Sequence, residues 1–327
     1  MKAFIFIPDT QKKVGLGHLY RCLKYSAFIS REYKIIFFIK HGIQKNYLKK
    51  TLNGRKINYI FYENLKKKIL NFKKKNFKKI FLFIDSYNKK IHNHNFNNIF
   101  NRKISVIDFK ISNNSDILID HTFMRQNKFH VKKKNQKIFV GHNYFPISKC
   151  EKKKKKNIVL INFGSINDKS LFKRSIFFIK KLNLNSKIKL VIINNYLKKK
   201  DIQSIQKSCS LNNIYHFNYK NNLNPIYENT LFAIGGCGLS LYERSFYNIP
   251  SIVKSVAKNQ DYNYKNFLHK KCILDYNKTI NLKLDNLRLK KKFYSQLNVV
   301  KKNLKKIFVE KNNVKKISNL FNKTDEI

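Results

Sequence analysis

Short apolar runs alternate with segments rich in Lys and Asn along the whole chain, and this alternation is the main structural signal in the sequence. The runs have the length of strands, and several of the polar segments carry apolar residues at helical spacing. Alternating strands and helices predict a parallel sheet covered by helices. In the first half the predicted strands are residues 2–7, 34–39, 57–62, 79–84, 104–107, 116–120 and 137–140. In the second half they are residues 158–163, 188–194, 214–217, 231–234 and 251–254.

Two of these runs end in closely spaced glycines and then continue as a helical pattern. They are VGLGHLYRCL at residues 14–23 and AIGGCGLSLYER at residues 233–244. Glycines can adopt positive φ and let backbone N–H groups approach a ligand, and the following helix offers unpaired donors and the positive end of its dipole. Each turn is therefore a candidate diphosphate site, although a purely structural role stays open. The glycines are Gly15 and Gly17 in the first turn and Gly235, Gly236 and Gly238 in the second.

The length of the chain favours two domains. It has 327 residues, 43% of them hydrophobic, which is enough for two cores. Residues 151–156 include a run of lysines that cannot be buried together, and we interpret them as a solvated linker, with a basic binding arm as the alternative. The sequence thus predicts an N-terminal domain over residues 1–150 and a C-terminal domain over residues 151–327. In the latter, residues 281–321 would form helices packed across the back, and an alternative is that they reach the first domain.

The formal net charge of +52 is a value that ordinarily indicates nucleic acid or an anionic surface as a partner. The lysines are spread along the whole chain together with abundant Asn, Ile, Phe and Tyr, which is the set of residues that an AT-rich genome favours. We therefore attribute the charge to codon usage and do not expect a nucleic-acid partner, with a basic nucleic-acid-binding protein kept as an alternative. A field of this sign would still attract a nucleotide diphosphate.

Cysteine spacing and hydropathy argue against other classes of protein. The five cysteines are far apart and form no CxxC pair, which argues against a disulfide framework and a zinc ribbon. No apolar run has the length of a membrane span. The first run is interrupted by Pro8 and Asp9 and lacks the pattern of a signal peptide. We expect a cytoplasmic protein without a membrane span.

His18 is the first candidate for chemistry, because it follows Gly17 at the start of a predicted helix. We expect its ring to be exposed at the edge of the sheet. A helix N-terminus disfavours the protonated ring, so His18 would be a neutral imidazole able to accept a proton from water. A histidine that only caps or packs against the turn is the alternative. Arg21 comes one helical turn later and could hold a carboxylate or a phosphate, with an ordinary surface arginine as the alternative.

Two aspartates close predicted strands of the first half. Asp85 and Asp108 would both stand at the carboxyl edge of the sheet, where open α/β sheets bind ligands. An aspartate after a strand also commonly forms a turn. We interpret Asp108 as a turn residue and Asp85 as a functional one.

Polar residues after the second glycine turn suit a nucleotide sugar. The carboxylate of Glu243 could accept hydrogen bonds from both ribose hydroxyls. Asn259 and Gln260 offer uncharged donors and acceptors for sugar hydroxyls or phosphate oxygens. Each of these residues could equally be a solvated surface residue.

At these positions the chain resembles the UDP-2,4-diacetamido-2,4,6-trideoxy-β-L-altropyranose hydrolases of pseudaminic acid biosynthesis, which are related to the peptidoglycan glycosyltransferase that uses UDP-N-acetylglucosamine. The chain departs from the pattern of that family at Ser165, Phe109 and Lys258. The resemblance is carried by Asp9, the stretch 15–18, residues 21–23 and 85–87, residues 141–144, 163–164 and 235–243, and Asn259 and Gln260.

The resemblance implies a GT-B fold, with two Rossmann-like domains whose parallel sheets face a cleft and with UDP bound mainly by the C-terminal domain. It implies that no metal is required, and we also expect no cofactor and a monomer. His18 would be the catalytic base, and Asp9 would orient it or bind the sugar. The substrate-binding residues would be Gly15, Gly17, Arg21, Asp85, Tyr87, Gly164, Gly235, Gly236, Gly238, Leu239, Ser240, Glu243, Asn259 and Gln260.

The implied reaction is hydrolysis of a UDP-linked 2,4-diacetamido-2,4,6-trideoxy sugar, which releases UDP and the free sugar. A GT-B glycosyltransferase that uses a UDP-sugar donor is the alternative within the same fold. That alternative needs an acceptor site, which the sequence does not reveal.

Overall fold

The computed structural model describes residues 2–11, 16–41, 48–49, 52–73, 77–93, 99–110, 113–147, 156–164, 166, 168–194, 197–209, 213–217 and 222–322. It divides into two compact units, one formed by Met1–Ser148 with Lys311–Ile327 and the other by Lys149–Glu310. Within the described residues, no helix is both long and apolar enough to cross a membrane.

Strands and helices alternate through most of the chain, as the pattern of apolar runs predicts. The strands are β1 (Lys2–Pro8), β2 (Tyr33–Lys40), β3 (Asn58–Tyr62), β4 (Lys79–Asp85), β5 (Arg102–Val106), β6 (Ile117–Asp120), β7 (Lys137–Val140), β8 (Ile158–Asn162), β9 (Lys189–Ile193), β10 (Ile214–Phe217), β11 (Thr230–Gly236), β12 (Ser251–Lys254) and β13 (Leu274–Asp275). The helices are α1 (Gly17–Ser26), α2 (Leu65–Lys73), α3 (Lys89–Asn93), α4 (Lys169–Lys181), α5 (Lys199–Cys209), α6 (Asn224–Asn229), α7 (Leu239–Phe246), α8 (Asp261–His269), α9 (Tyr276–Ile280), α10 (Asn286–Ile307) and α11 (Glu310–Asn322).

The first unit is built on a seven-stranded sheet in the order β3-β2-β1-β4-β5-β6-β7. Every pairing in it is parallel. Alternate residues of the central strand β1 enter two different cores: Phe4 and Phe6 pack on one face of the sheet and Ile5 and Ile7 on the other. A parallel sheet buried on both faces explains why its strands read as continuous apolar runs.

The last helix, α11, belongs to the first unit, whereas the sequence placed residues 151–327 together in the second domain. Its apolar residues Ile317, Leu320 and Phe321 join the core that contains Phe4. Asn313 is fully buried, and its amide donates a hydrogen bond to the Asn143 carbonyl at 2.9 Å. The apolar face of α11 therefore packs on the sheet of the first unit.

The second unit repeats the architecture with a six-stranded parallel sheet in the order β10-β9-β8-β11-β12-β13. The Asp168 side chain accepts a hydrogen bond from the backbone N–H of Ser170 and so caps the start of helix α4. Phe293 and Leu297 of α10 join the core of this unit. The predicted α/β fold class with two parallel-sheet halves is confirmed.

Candidate functional site

The strand order of the first sheet reverses between β1 and β4, and that is where open α/β sheets form a ligand crevice. Asp9 directly follows β1, and Asp85 ends β4. The backbone N–H of Asp9 donates to the Asp85 carbonyl at 2.8 Å, so the two strand ends are held side by side. Both carboxylates come to this edge of the sheet, as the sequence predicts for Asp85.

His18 lies in the first turn of α1 and contacts Asp85, with 2.5 Å between its Nδ1 and Oδ1 of the carboxylate. An ionised carboxylate can only accept, so Nδ1 carries the hydrogen and donates it. The 3.2 Å approach of the Arg21 Nη2 to the same nitrogen is then a close contact, because Nδ1 has no lone pair left to accept with. Whenever the ring is neutral, Nε2 therefore carries no hydrogen and can accept a proton.

Arg21 is buried beside this pair and binds its carboxylate, although a lone arginine in the sequence is more often a surface residue. Its Nε donates to Asp85 Oδ2 at 2.6 Å, and its Nη2 also bonds to Asp85 Oδ1. Its Nη1 donates to Nε2 of His121 at 3.1 Å, which fixes His121 as the Nδ1–H tautomer. Arg21 thus holds Asp85 against His18, and the substrate-binding role predicted for it stays a prediction.

The charges of the cluster stabilise one another. Burial alone would raise the pKa of Asp85, but Arg21 and His18 hold it well below its usual range. Burial would lower the pKa of Arg21, and the Asp85 carboxylate raises it above its ordinary value. Burial and the Arg21 charge together lower the pKa of His121 to about 3. Asp85 is therefore a fixed anion, Arg21 a fixed cation and His121 a neutral ring at physiological pH.

The expected exposure of His18 is wrong, since only 7% of its side chain is accessible to solvent. Its ring packs edge-on against Tyr87, with 4.6 Å between the ring centroids. Tyr87 is 36% exposed, and its hydroxyl donates to Asp108 at 3.4 Å. Burial raises the pKa of Asp108. Tyr87 therefore links Asp108 to the His18 ring, and the turn role predicted for Asp108 stays a prediction.

Asp9 has partners other than His18, so the carboxylate that orients His18 is Asp85. Oδ1 of Asp9 accepts from the backbone N–H of Gln11 at 3.2 Å, and Oδ2 accepts from the Ser86 hydroxyl at 3.1 Å. The predicted role of Asp9 in orienting His18 does not correspond to a contact among the described residues. Its predicted role in binding the sugar stays a prediction.

A second buried histidine holds the loop that follows Asp85. Nε2–H of His92 donates to the Ser86 carbonyl at 2.7 Å, and the Ser105 hydroxyl is 3.0 Å from Nδ1. Burial lowers the pKa of His92 to about 4, although the bond to Ser86 raises it. His92 is therefore a neutral ring that ties the 85–87 loop to β5.

We expect the free energy of unfolding to fall as the pH drops from about 6.5 to about 4. His92 and His121 have folded pKa values of about 4 and about 3, below their ordinary 6.5. In that window the unfolded chain binds protons that the folded chain excludes, at about 1.4 kcal/mol per pH unit for each histidine. Urea titrations at pH 7, 6 and 5 measure this slope, and His121→Gln should reduce it by one proton. An unchanged slope in that variant would contradict the assignment.

The second sheet has its own reversal of strand order, between β8 and β11. Asn162 ends β8, and its side-chain oxygen accepts from the backbone N–H of Gly164 at 2.9 Å. Gly164 has φ of +70°, a conformation that favours glycine. The turn after β8 and the turn after β11 thus lie at the same edge, where a ligand crevice is expected.

The glycines at the end of β11 and in the turn after it lack the positive φ that the sequence suggested, and their predicted role in binding a diphosphate stays a prediction. Among the described residues the glycines with positive φ are Gly141 and Gly164, so Gly235, Gly236 and Gly238 do not use that freedom. Gly235 is required by close packing, since a Cβ there would lie 2.1 Å from the Asn162 carbonyl oxygen.

The start of α7 offers backbone donors. Leu239 and Ser240 open the helix after Gly238, so their N–H groups have no acceptor within it. Glu243 lies in the next turn and accepts a hydrogen bond from the Tyr227 hydroxyl at 2.6 Å. One oxygen of the Glu243 carboxylate is therefore held in place by a buried phenol.

Gln260 supports the turn instead of being a free loop amide. Its carbonyl oxygen accepts from the backbone N–H groups of Cys237 and Val256, each at 3.2 Å. Asn259 is exposed beside it. The substrate-binding roles predicted for Asn259 and Gln260 stay predictions, and Gln260 has a structural role in addition.

No protein-family model matches the chain, and no curated protein matches it in sequence. Solved structures do match its fold. The glycotransferase of kitacinnamycin has a TM-score of 0.65 at 10% identity, over 99% of this chain and 97% of its own. MurG of Acinetobacter baumannii has a TM-score of 0.56 at 11% identity, over 99% of this chain and 100% of its own. A ugt transferase from Siraitia grosvenorii in complex with UDP has a TM-score of 0.61 at 10% identity, over 100% of this chain and 99% of its own.

The chain has the GT-B fold. At these identities the likeness supports the GT-B fold that the sequence resemblance implied, and it does not support the specific hydrolase family.

Three buried residues that contact the candidate site residues were not identified from the sequence. His121 directly follows β6, so the rule that selected Asp85 and Asp108 at strand ends could also have selected it. Arg244 lies within the glycine stretch, but nothing in the sequence shows that it is buried. Nothing in the sequence around Tyr227 indicates that its hydroxyl contacts Glu243. Gly15 and Ser165 lie outside the described residues.

Proposed function

We propose that this protein cleaves a UDP-sugar at its anomeric carbon and transfers the glycosyl group to a nucleophile that His18 deprotonates. The observation that supports this most is the His18–Asp85 pair, in which a fixed carboxylate holds one ring nitrogen and leaves Nε2 able to accept a proton. A histidine oriented by a buried carboxylate is a recurring arrangement for a general base.

The proposed step is a direct displacement. Nε2 of His18 takes the proton from the O–H of the nucleophile, whose oxygen forms a bond to the anomeric carbon. The bond from that carbon to the diphosphate oxygen breaks, and UDP leaves with the electron pair. Asp85 stabilises the imidazolium that forms, and the configuration at the anomeric carbon is inverted.

The second unit would hold the leaving group. The backbone N–H groups at Leu239 and Ser240 would receive the diphosphate at the positive end of the α7 dipole. The remaining lone pairs of Glu243, whose carboxylate Tyr227 positions, would accept from the ribose hydroxyls. Donors that face the diphosphate stabilise the charge that develops on it.

A sugar or other organic hydroxyl is the nucleophile that the solved structures favour, because one of them is named as a glycotransferase and another as a glycosyltransferase. Water is the second candidate, and then the enzyme is a UDP-sugar hydrolase. The motif around His18 supports this candidate through its resemblance to the hydrolases of pseudaminic acid biosynthesis. His18 would deprotonate the nucleophile in either case.

A UDP-release assay separates the two candidates. Purified protein is incubated with a panel of UDP-sugars, including 2,4-diacetamido-2,4,6-trideoxy sugars, and products are identified by mass spectrometry. UDP and free sugar without any acceptor indicate hydrolysis, and release that depends on an added acceptor indicates transfer. Absence of UDP release and of UDP binding, together with salt-sensitive binding to DNA or RNA, would contradict the proposal and favour the nucleic-acid alternative.

A further inference from the structure

Arg244 of α7 is fully buried and has few partners. Its Nη2 donates to the Gly236 carbonyl at 2.7 Å. Its Nε and Nη1 are buried and have no hydrogen-bond partner in the part of the chain that the structure describes. No carboxylate among those residues forms an ion pair with it. A buried guanidinium thus lies at the glycine turn without a counter-charge in contact.

The guanidinium occupies a space that only glycine leaves open. A Cβ at Gly235 would lie 2.4 Å from Nη1 of Arg244, so the arginine packs directly against the backbone of that residue. The same Cβ would lie 2.1 Å from the Asn162 carbonyl oxygen. Arg244 is therefore placed between the ends of β8 and β11, where the strand order of the second sheet reverses.

Two positive elements meet at this point. Burial lowers the pKa of Arg244, while Tyr227, Cys237 and Glu243 raise it. The start of α7 adds the positive end of a helix dipole a few residues away. Glu243 already accepts from Tyr227, and burying a cation without a paired anion is costly. An anion bound at the turn would remove this imbalance.

We propose that Arg244 supplies the buried positive charge that matches a diphosphate bound at the start of α7. Arg244 is fully buried, so it acts through its charge and not through contact with the ligand, and it is not a catalytic residue. The inference rests on the proposed function, which places the UDP diphosphate at this turn. The inference also explains why residue 235 is a glycine, since a side chain there would collide with the Arg244 guanidinium.

The test compares the wild type with Arg244→Met and Arg244→Gln, both of which remove the charge, while glutamine keeps a donor for the Gly236 carbonyl. Binding of UDP, uridine and inorganic pyrophosphate is measured by calorimetry, and the thermal midpoint is measured without ligand. We expect the affinity for UDP and pyrophosphate to fall about tenfold or more through loss of one nearby charge. Uridine affinity and the ligand-free midpoint should not fall. Arg288→Met is the control, because it removes an exposed arginine from the same unit.

A purely structural role would give a different result. If both neutral variants lower the midpoint and weaken UDP and uridine equally, or if they bind UDP as tightly as the wild type, the inference is wrong. The same measurements distinguish a failure of the proposed function from a failure of this inference. A wild type that binds pyrophosphate in an Arg244-dependent way but has no preference for UDP would support the inference and contradict the proposed function.

Discussion

Replacing His18 by alanine should reduce the rate of UDP release from the active UDP-sugar by about 10²–10⁴-fold, the usual contribution of a positioned general base. Nε2 is the ring position that Asp85 leaves without hydrogen, and alanine removes it. The affinity for UDP should not change, because the proposed diphosphate and ribose contacts lie at α7 of the other unit. Initial rates of UDP formation and calorimetry with UDP measure the two quantities.

His269→Ala is the control for this variant. His269 is an exposed residue in the last turn of α8, so its loss removes a histidine without disturbing the cluster around Asp85. The control should retain the wild-type rate. Full activity in His18→Ala would remove the general base from the proposal, and equal loss in both variants would point to an effect unrelated to the base.

The fold could be predicted from sequence because its strands are buried on both faces and read as apolar runs. Every predicted strand is present, and the one that was missed, β13, has two residues and too little pattern to detect. For α11 the sequence allowed a position on the first domain but did not select it. The spacing of Ile317 and Leu320 shows that one face of this helix is buried, but not which sheet covers it.

The sequence singled out individual residues of the candidate site, but it did not show which of them contact one another. His18 and Arg21 are one helical turn apart, so the sequence places them on the same face of α1. The carboxylate that both contact is Asp85, and it comes from a strand that is 64 residues from Arg21. Asp9 ends the neighbouring strand and is equally plausible in the sequence. Only the side-chain geometry separates the two aspartates.

Buried charge is the other feature that sequence cannot supply. Arg21 and Arg244 look like ordinary helix arginines, and most arginines are exposed. Both are buried here, at the two points where the strand order reverses. The first is paired with Asp85, while the second forms no ion pair with a described residue. Such burial depends on contacts between distant segments.

Replacing Asp85 by asparagine should destabilise the protein by about 3–5 kcal/mol at neutral pH, because it leaves the buried Arg21 cation without its anion. The carboxylate is fully buried and accepts from both His18 and Arg21. The rate of UDP release by the same variant should fall by about 10²-fold or more. A neutral amide cannot stabilise the imidazolium, and it does not fix the tautomer of the neutral His18 ring. Asp9→Asn is the matched control. Its carboxylate accepts from Ser86 and Gln11, and about 1 kcal/mol is expected there.

The difference in unfolding free energy between the wild type and Asp85→Asn should depend on pH with a definite sign. The folded pKa of Asp85 lies below its ordinary value of 3.8, so its carboxylate contributes stability above that pH. The contribution is lost as the pH falls through the depressed folded pKa. The gap in unfolding free energy between wild type and Asp85→Asn should therefore be constant from pH 7 to about 5 and shrink below about 3.8. Urea titrations across that range measure it. A gap that stays constant below pH 3, or an Asp9→Asn variant as damaged as Asp85→Asn, would show that Asp85 is not the anion that holds Arg21 and His18.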